Sequence, residues 1–339
     1  MALDFFINTL VGRDRYDLTR MFNELKCADL DRKSSREIGK LAQEIAQIVL
    51  LEKISYSGYL PVGRARLQEN SYLFATASEL STNPNPKAVN LGRLNIREHP
   101  LFYASLDPIT SVTEVARPWE SGRFVGYVSI LEGSFQSNKE FRVASALINQ
   151  DPSKLTHPFL KQFFEWDQEH LRFLQKRFEK DLLERIVQVR NALSGLLTTD
   201  RDHRPGLFRL TGAIGHFLLS SSQPLCDALL YPAMSLNCAG VNFAVSERAI
   251  DRFFKPSHVT MYSYDFEQNS GNGLAYLMLK PLFRADVSHM NGSLSYEYVG
   301  QIPALPEVSH IAEQNSVPIR PSARWHTPVD LGPAKDSHG

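Results

Sequence analysis

The chain has 339 residues, 43% of them hydrophobic, and its 37 lysines and arginines balance 37 aspartates and glutamates. That is ample apolar content for one large core or two smaller ones, and the zero formal net charge gives no support for the broad electrostatic attraction that nucleic acids and anionic membranes demand, leaving only local basic grooves open. Cys27, Cys226 and Cys238 show no paired-ligand spacing for zinc and are too few and too odd for a disulfide framework, so they suit a reducing cytosol. No apolar stretch is long enough to span a membrane, and the opening MALDFFINTLVGRDR lacks the basic region of a signal peptide. The expected protein is cytoplasmic.

Residues 1–55 read as a helical segment. Ser34 or Ser35 caps a helix in which Ile38, Leu41, Ile45, Ile48 and Val49 recur at helical spacing, a stripe for docking on its own domain or on a partner, including a second copy of the chain. Residues 56–300 read as the main domain. Tyr56–Ala77 opens it, with loops marked by Gly58 and Pro61, and Arg64 and Arg66, two apart on an extended segment, share a face. Ser78–Lys87 is a polar, proline-broken loop. After Pro100, Leu101–Ser105 is a short strand with Leu101, Tyr103 and Ser105 on one face and Phe102 and Ala104 on the other. Asp107-Pro108 starts a helix, a good N-cap followed by proline at the first helical position. Its buried stripe is Ile109, Val112 and Ala116, and Pro118 stops it. Phe124–Leu131 is a second strand, so Glu114 rides on a short helix between two strands.

The interval from about 150 to 205 reads as a helical insertion, because Leu171, Leu174, Phe178, Leu182, Ile186 and Val189 repeat three or four apart among charged residues. Thr198–Pro205 is a turn-rich linker. Leu207–Ser221 returns as an apolar helix. Leu229–Tyr231 and Val241–Val245 are short strands, the second sending Asn242 and Ala244 to one face. Ser246 caps a helix over Glu247–Phe254, and His258–Phe266, Gly273–Leu282 and Ser293–Val299 read as strands. Residues 301–339 lose periodicity and read as an extended tail, with disorder expected over Pro333–Gly339. There is no phosphate-cradling Gly-rich loop, no metal-ligand spacing among the ten histidines and no serine nucleophile elbow.

Several pieces together resemble one family. Val62-Gly63-Arg64-Ala65-Arg66, then Arg93 before Leu101-Phe102-Tyr103-Ala104, then Ser111-Val112-Thr113-Glu114-Val115, then Asp227-Ala228-Leu229-Leu230-Tyr231-Pro232 and Gly240-Val241-Asn242-Phe243-Ala244-Val245 follow one another in order from about Pro61 to Val245. This ordered set is similar to the RES family, bacterial proteins named for an arginine, a glutamate and a serine, many of them toxins of toxin–antitoxin pairs. The resemblance implies an α+β fold like that of ADP-ribosyltransferases, a split and mainly antiparallel sheet with surrounding helices. It implies NAD as substrate, no metal, and cleavage of the nicotinamide–ribose bond with transfer to water, phosphate or protein. It also implies a toxin-like effector and a protein antitoxin or immunity partner.

Cleavage of that bond develops positive charge on the sugar, which calls for a fixed negative charge beneath it. Glu114 is the carboxylate the resemblance assigns there. Tyr103, or Tyr231, would pack against the flat nicotinamide, and Arg64 and Arg93 would hold the diphosphate. Asn242 would bond substrate or tie a loop. The family serine follows Tyr-Pro directly, but here that place is Ala233, and Ser235, two residues on, is the candidate replacement. The rival expectation is a RES-like module that has lost turnover and binds a nucleotide or a protein.

Overall fold

Two long antiparallel strands carry the architecture of the computed structural model: β1 (Lys53–Gln68) runs against β3 (Gly122–Ser145) from Lys53 opposite Ala144 to Gln68 opposite Tyr127. The structure describes residues 18, 20, 30–48, 53–68, 72–82, 85, 87, 89–116, 122–146, 158–198, 205–222, 224–233, 240–268, 274–299 and 325–330. The far edge of β3 is shared. Gly122–Phe135 pairs antiparallel with β6 (Phe254–Gln268), whereas Val143–Ser145 runs parallel to β4 (Ala228–Ala233). From β4 the sheet continues antiparallel through β5 (Gly240–Ser246) to β2 (Leu101–Ser105), which meets β1 where Gly63 faces Ser105. On the other branch β6 pairs with β7 (Leu274–Asp286), which also carries β8 (Glu297-Tyr298) and β9 (Trp325–Asp330). The fold is mixed α+β, one mainly antiparallel sheet with helices around it, as the sequence leads one to expect.

Period-two alternation explains the core. Leu60 and Val62 of β1, Phe102 and Ala104 of β2, Leu131, Phe135, Phe141 and Val143 of β3, Leu230 of β4 and Phe243 of β5 all turn into one apolar cluster. Phe135 stacks on Phe141 at 4.9 Å between ring centroids, and Phe102, Phe243 and Phe254 approach Phe135 tilted or edge-on. Each fully buried ring contributes roughly 1.5–3 kcal/mol. The opposite faces of β2, β5 and β4 are covered by helices. Described helices are α1 (Ser35–Ile48), α2 (Pro108–Ala116), α3 (Pro158–Arg177), α4 (Lys180–Leu197), α5 (Pro205–Gly215) and α6 (Glu247–Phe253). Ile38 and Ile45 of α1 join Leu174, Ile186, Leu193, Leu210 and Ile214 in a second cluster that reaches Leu101, Leu229, Tyr231 and Ala244.

The caps form where the sequence places them. Ser34 and Glu37 make a reciprocal pair at the start of α1: the Ser34 main-chain N–H donates to Glu37 Oε2 at 2.8 Å, and the Glu37 N–H donates to Ser34 Oγ at 3.3 Å. Asp107 Oδ1 accepts the Thr110 N–H at 2.8 Å, and Ser246 Oγ accepts that of Ala249 at 3.3 Å.

The strands differ more from expectation. β3 does not stop at Leu131 but runs on to Ser145. Its second half, GSFQSNKEFRVAS, is mostly polar, yet it is paired along β1 and carries Phe135 and Phe141 into the core. The strand expected over Ser293–Val299 shrinks to Glu297-Tyr298. Within the span Leu207–Ser221 the last turns, His216–Ser220, widen to a π-helix. The loop expected at Ser78–Lys87 begins within a short 3-10 turn, Ala77–Leu80. Part of the tail, Trp325–Asp330, adds a strand to β7, while the expected disorder of Pro333–Gly339 lies outside the described residues. Among the described residues no helix is long and apolar enough to cross a membrane.

Candidate functional site

One cross-strand row organises the site. Glu132 faces Gly63, Gly63 faces Ser105, Ser105 faces Asn242, and Asn242 faces Tyr231, so the row crosses β3, β1, β2, β5 and β4. Residues directly opposed in antiparallel strands project from the same face. Gly63 presents no side chain there, and α2 settles over it, with Ser111 Oγ donating to the Gly63 carbonyl at 2.6 Å. Val112 and Ala116 fasten the helix to Val128 and Ile130. This seating leaves Glu114 exposed on α2.

Arg64 lies one residue off the row and so turns the other way, in line with Leu60 and Val62. β1 and β2 meet at one register position, and the Arg64 side chain bridges to β2. Its guanidinium carbon stands 5.2 Å from the centre of the Phe102 ring, and Nη1 donates to the Tyr103 carbonyl at 3.0 Å. Nε is buried with no hydrogen-bond partner among the described residues. Burial, then the charge of Arg66, pulls the guanidinium down to about 10, with Tyr103 and Tyr231 opposing the shift. It remains a cation at neutral pH, with one donor direction unspent.

Tyr103 is held by a loop. Its hydroxyl donates to Asn95 Oδ1 at 2.9 Å and accepts the Leu94 N–H at 3.0 Å. Asn95 Nδ2 in turn donates to the carbonyls of Asn90, at 2.8 Å, and Ile96, at 3.1 Å. Gly212 and Gly215 of α5 press on the same loop: a Cβ at either would run into the Asn95 or Leu94 carbonyl, and one at Gly92 into the Asn95 side chain. Burial pushes the Tyr103 hydroxyl well up. Arg93 leans on the helices, donating to the Leu197 carbonyl at the end of α4 and placing its guanidinium 5.1 Å from the Phe208 ring.

Tyr231 is 4% exposed. Burial raises its hydroxyl well above the ordinary tyrosine range; Tyr103 and the Glu114 carboxylate push the same way, and Arg93 and Arg64 pull back. Arg64, Arg93, Tyr103, Glu114 and Tyr231, spread over most of 170 positions of sequence, thus share one electrostatic neighbourhood. Asn242, also 4% exposed, accepts the Ser105 hydroxyl at 2.9 Å through Oδ1, while its Nδ2 is buried with no partner among the described residues. Ala233 is fully buried opposite Gly240. Ser235 lies outside the described residues.

Two members of the neighbourhood were not singled out from sequence. Ser105 was detectable, because alternation already sets it on the Tyr103 face; Asn95 carried no such sign. Asp227, part of the Asp-x-x-x-Tyr-Pro segment, is structural. It takes the Arg142 main-chain N–H and Nε, each at 3.0 Å, and Arg248 Nη2 at 3.2 Å. Burial would raise this carboxyl, but the Arg142 and Arg248 bonds hold it below the ordinary aspartate value. No group of three or more metal-ligating side chains occurs among the described residues.

The chain matches no protein-family model and no curated protein.

Proposed function

We propose that the protein consumes NAD, cleaving the nicotinamide–ribose bond, and acts as a toxin-like effector. The observation that carries this reading is Arg64 bonded to the Tyr103 carbonyl at 3.0 Å, beside a buried Tyr231 hydroxyl on which the charges of Glu114, Arg93 and Arg64 bear. Such a set suits a substrate with a flat aromatic leaving group, a sugar that becomes cationic, and a diphosphate. Arg64 offers the diphosphate its Nε edge, which has no partner among the described residues. Glu114 supplies the negative charge for the cationic sugar. Asn242 offers Nδ2 to an acceptor oxygen of the substrate. The ordered resemblance to RES proteins points the same way. The test is chromatographic: purified protein incubated with NAD should release nicotinamide.

A second reading has its own support. Arg93 already serves Leu197 and Phe208, the Tyr103 hydroxyl already serves Leu94 and Asn95, and Ala233 stands where the family has serine. A RES-like module with these groups committed to structure would bind a nucleotide without turning it over. NAD that binds but releases no nicotinamide would select this reading.

A further inference from the structure

Strand β6 holds a second arrangement of chemistry-bearing side chains, which the NAD reading does not use. Its pairing with β3 slips after Glu132: Glu132 faces His258 and Gly133 faces Pro256, so Ser257 has no partner in the ladder. A bulge of this kind re-aims a side chain. Here it brings Ser257 Oγ to 2.9 Å from Nδ1 of its neighbour His258, and Nε2 of the same ring lies 2.7 Å from Glu132 Oε2. Ser257 is exposed, while His258 and Glu132 are mostly covered, with side-chain exposures of 19% and 25%. The cluster sits in the same cross-strand row as the site above, about 10 Å from Ser105 across the width of β1.

The hydrogen bonds assign roles. A carboxylate accepts, so Glu132 takes Nε2–H, and in the tautomer that carries its proton there the Nδ1 lone pair is directed at the Ser257 hydroxyl. Hydroxyl, imidazole and carboxylate then stand as nucleophile, base and orienter, a set recognised by geometry and not by order in the chain. The Ser257 hydroxyl also donates to the Glu132 main-chain carbonyl at 3.0 Å, so its one proton is shared between that carbonyl and His258 Nδ1. A hydroxyl placed only to satisfy that carbonyl would need neither the imidazole nor the carboxylate behind it.

We propose that Ser257 is a nucleophile independent of the NAD reading, with His258 as its general base and Glu132 as the residue that positions His258, acting on small acyl esters. Ser257 Oγ attacks the ester carbonyl carbon as its proton passes to His258 Nδ1. The carbon–oxygen bond to the alcohol breaks, and the departing alkoxide takes that proton, leaving an acyl-serine. Water, giving its proton to Nδ1, then releases the carboxylic acid and restores Ser257.

The full chain is treated with a fluorophosphonate probe, whose phosphorus–fluorine bond is replaced by a bond to Oγ with loss of fluoride, and the adduct is mapped by peptide mass spectrometry. The expected result is one adduct, on Ser257, together with p-nitrophenyl acetate hydrolysis that Ser257→Ala abolishes. Glu132→Gln should slow labelling by about a hundredfold, the lower end of what a placed general base supplies, and Glu132→Asp should recover part of that rate. No adduct on the wild-type chain, an adduct at another residue, or a folded Glu132→Gln labelled at the wild-type rate overturns the proposal. None of these readouts involves NAD.

Discussion

The Ser105 hydroxyl donates to Asn242 Oδ1 at 2.9 Å across the β2–β5 pair, and the other end of the same buried amide, Nδ2, has no partner among the described residues. A buried donor left unmade costs about 1–3 kcal/mol, so the bond from Ser105 at the other end carries what the amide contributes to stability. Ser105→Ala removes its remaining bond and should destabilise the fold by about 1–3 kcal/mol. Replacing both partners by apolar residues, Ser105→Ala with Asn242→Leu, should recover most of that loss, because no polar atom of the pair is then stranded. Urea unfolding of the two variants checks the order, and a double variant weaker than the single one would contradict it.

Asp227 should act as an acid-sensitive staple. Its carboxyl is held below its ordinary value of 3.8 by Arg142 and Arg248, against the effect of burial. A carboxylate with a depressed folded pKa stabilises above its unfolded pKa and loses that contribution as the pH falls through the folded one. At neutral pH Asp227→Asn should cost about 1.5–3 kcal/mol, at the lower end because both guanidinium groups are partly exposed. The gap between wild type and variant, measured in urea, should hold from pH 7 down to about 5 and close below 3.8.

What could be read in advance followed from periodicity and caps. Leu101–Ser105, the Asp107 cap and the Ser246 cap are written in local patterns that the tertiary structure had no reason to overrule. The second half of β3 was hidden for the opposite reason. Its polar residues carry no period, and its strand form depends on β1, which lies far away in sequence. The candidate site divides the same way. Tyr103 and Glu114 belong to adjacent local elements, whereas the Arg64 contact with the Tyr103 carbonyl, the Arg93 contact with Leu197 and the unpartnered end of Asn242 arise from pairing that no single stretch encodes.

Arg64 is a cation with an open edge, since Nη1 is given to the Tyr103 carbonyl and Nε has no partner among the described residues. Arg64→Ala should weaken NAD binding by about 1.5–3 kcal/mol, the value of charge-assisted bonds, which is roughly a tenfold to hundredfold rise in Kd. Arg64→Lys should not restore it, because a single ammonium cannot serve the carbonyl and a ligand as a planar fork does. Calorimetric titration of the folded variants with NAD measures both. Wild-type affinity in Arg64→Ala would remove this residue from the site.

Glu114 tests the chemistry itself. It is exposed on α2, and its charge is one of those that bear on the buried Tyr231 hydroxyl, with those of Arg93 and Arg64. The positive charge it is proposed to stabilise exists in the transition state and hardly at all in bound NAD. An interaction made only there governs turnover and leaves ground-state affinity nearly untouched. Glu114→Gln preserves shape and removes the charge, and its exposure leaves little packing to disturb. NAD should therefore bind within a few fold of wild type, while nicotinamide release falls by about a hundredfold or more, the scale of losing one electrostatic stabiliser. If the protein is instead a binding module, neither form turns NAD over and both bind it alike. If Glu114 merely decorates the helix, both release nicotinamide equally, and a folded Glu114→Gln protein with undiminished release would end the proposed mechanism.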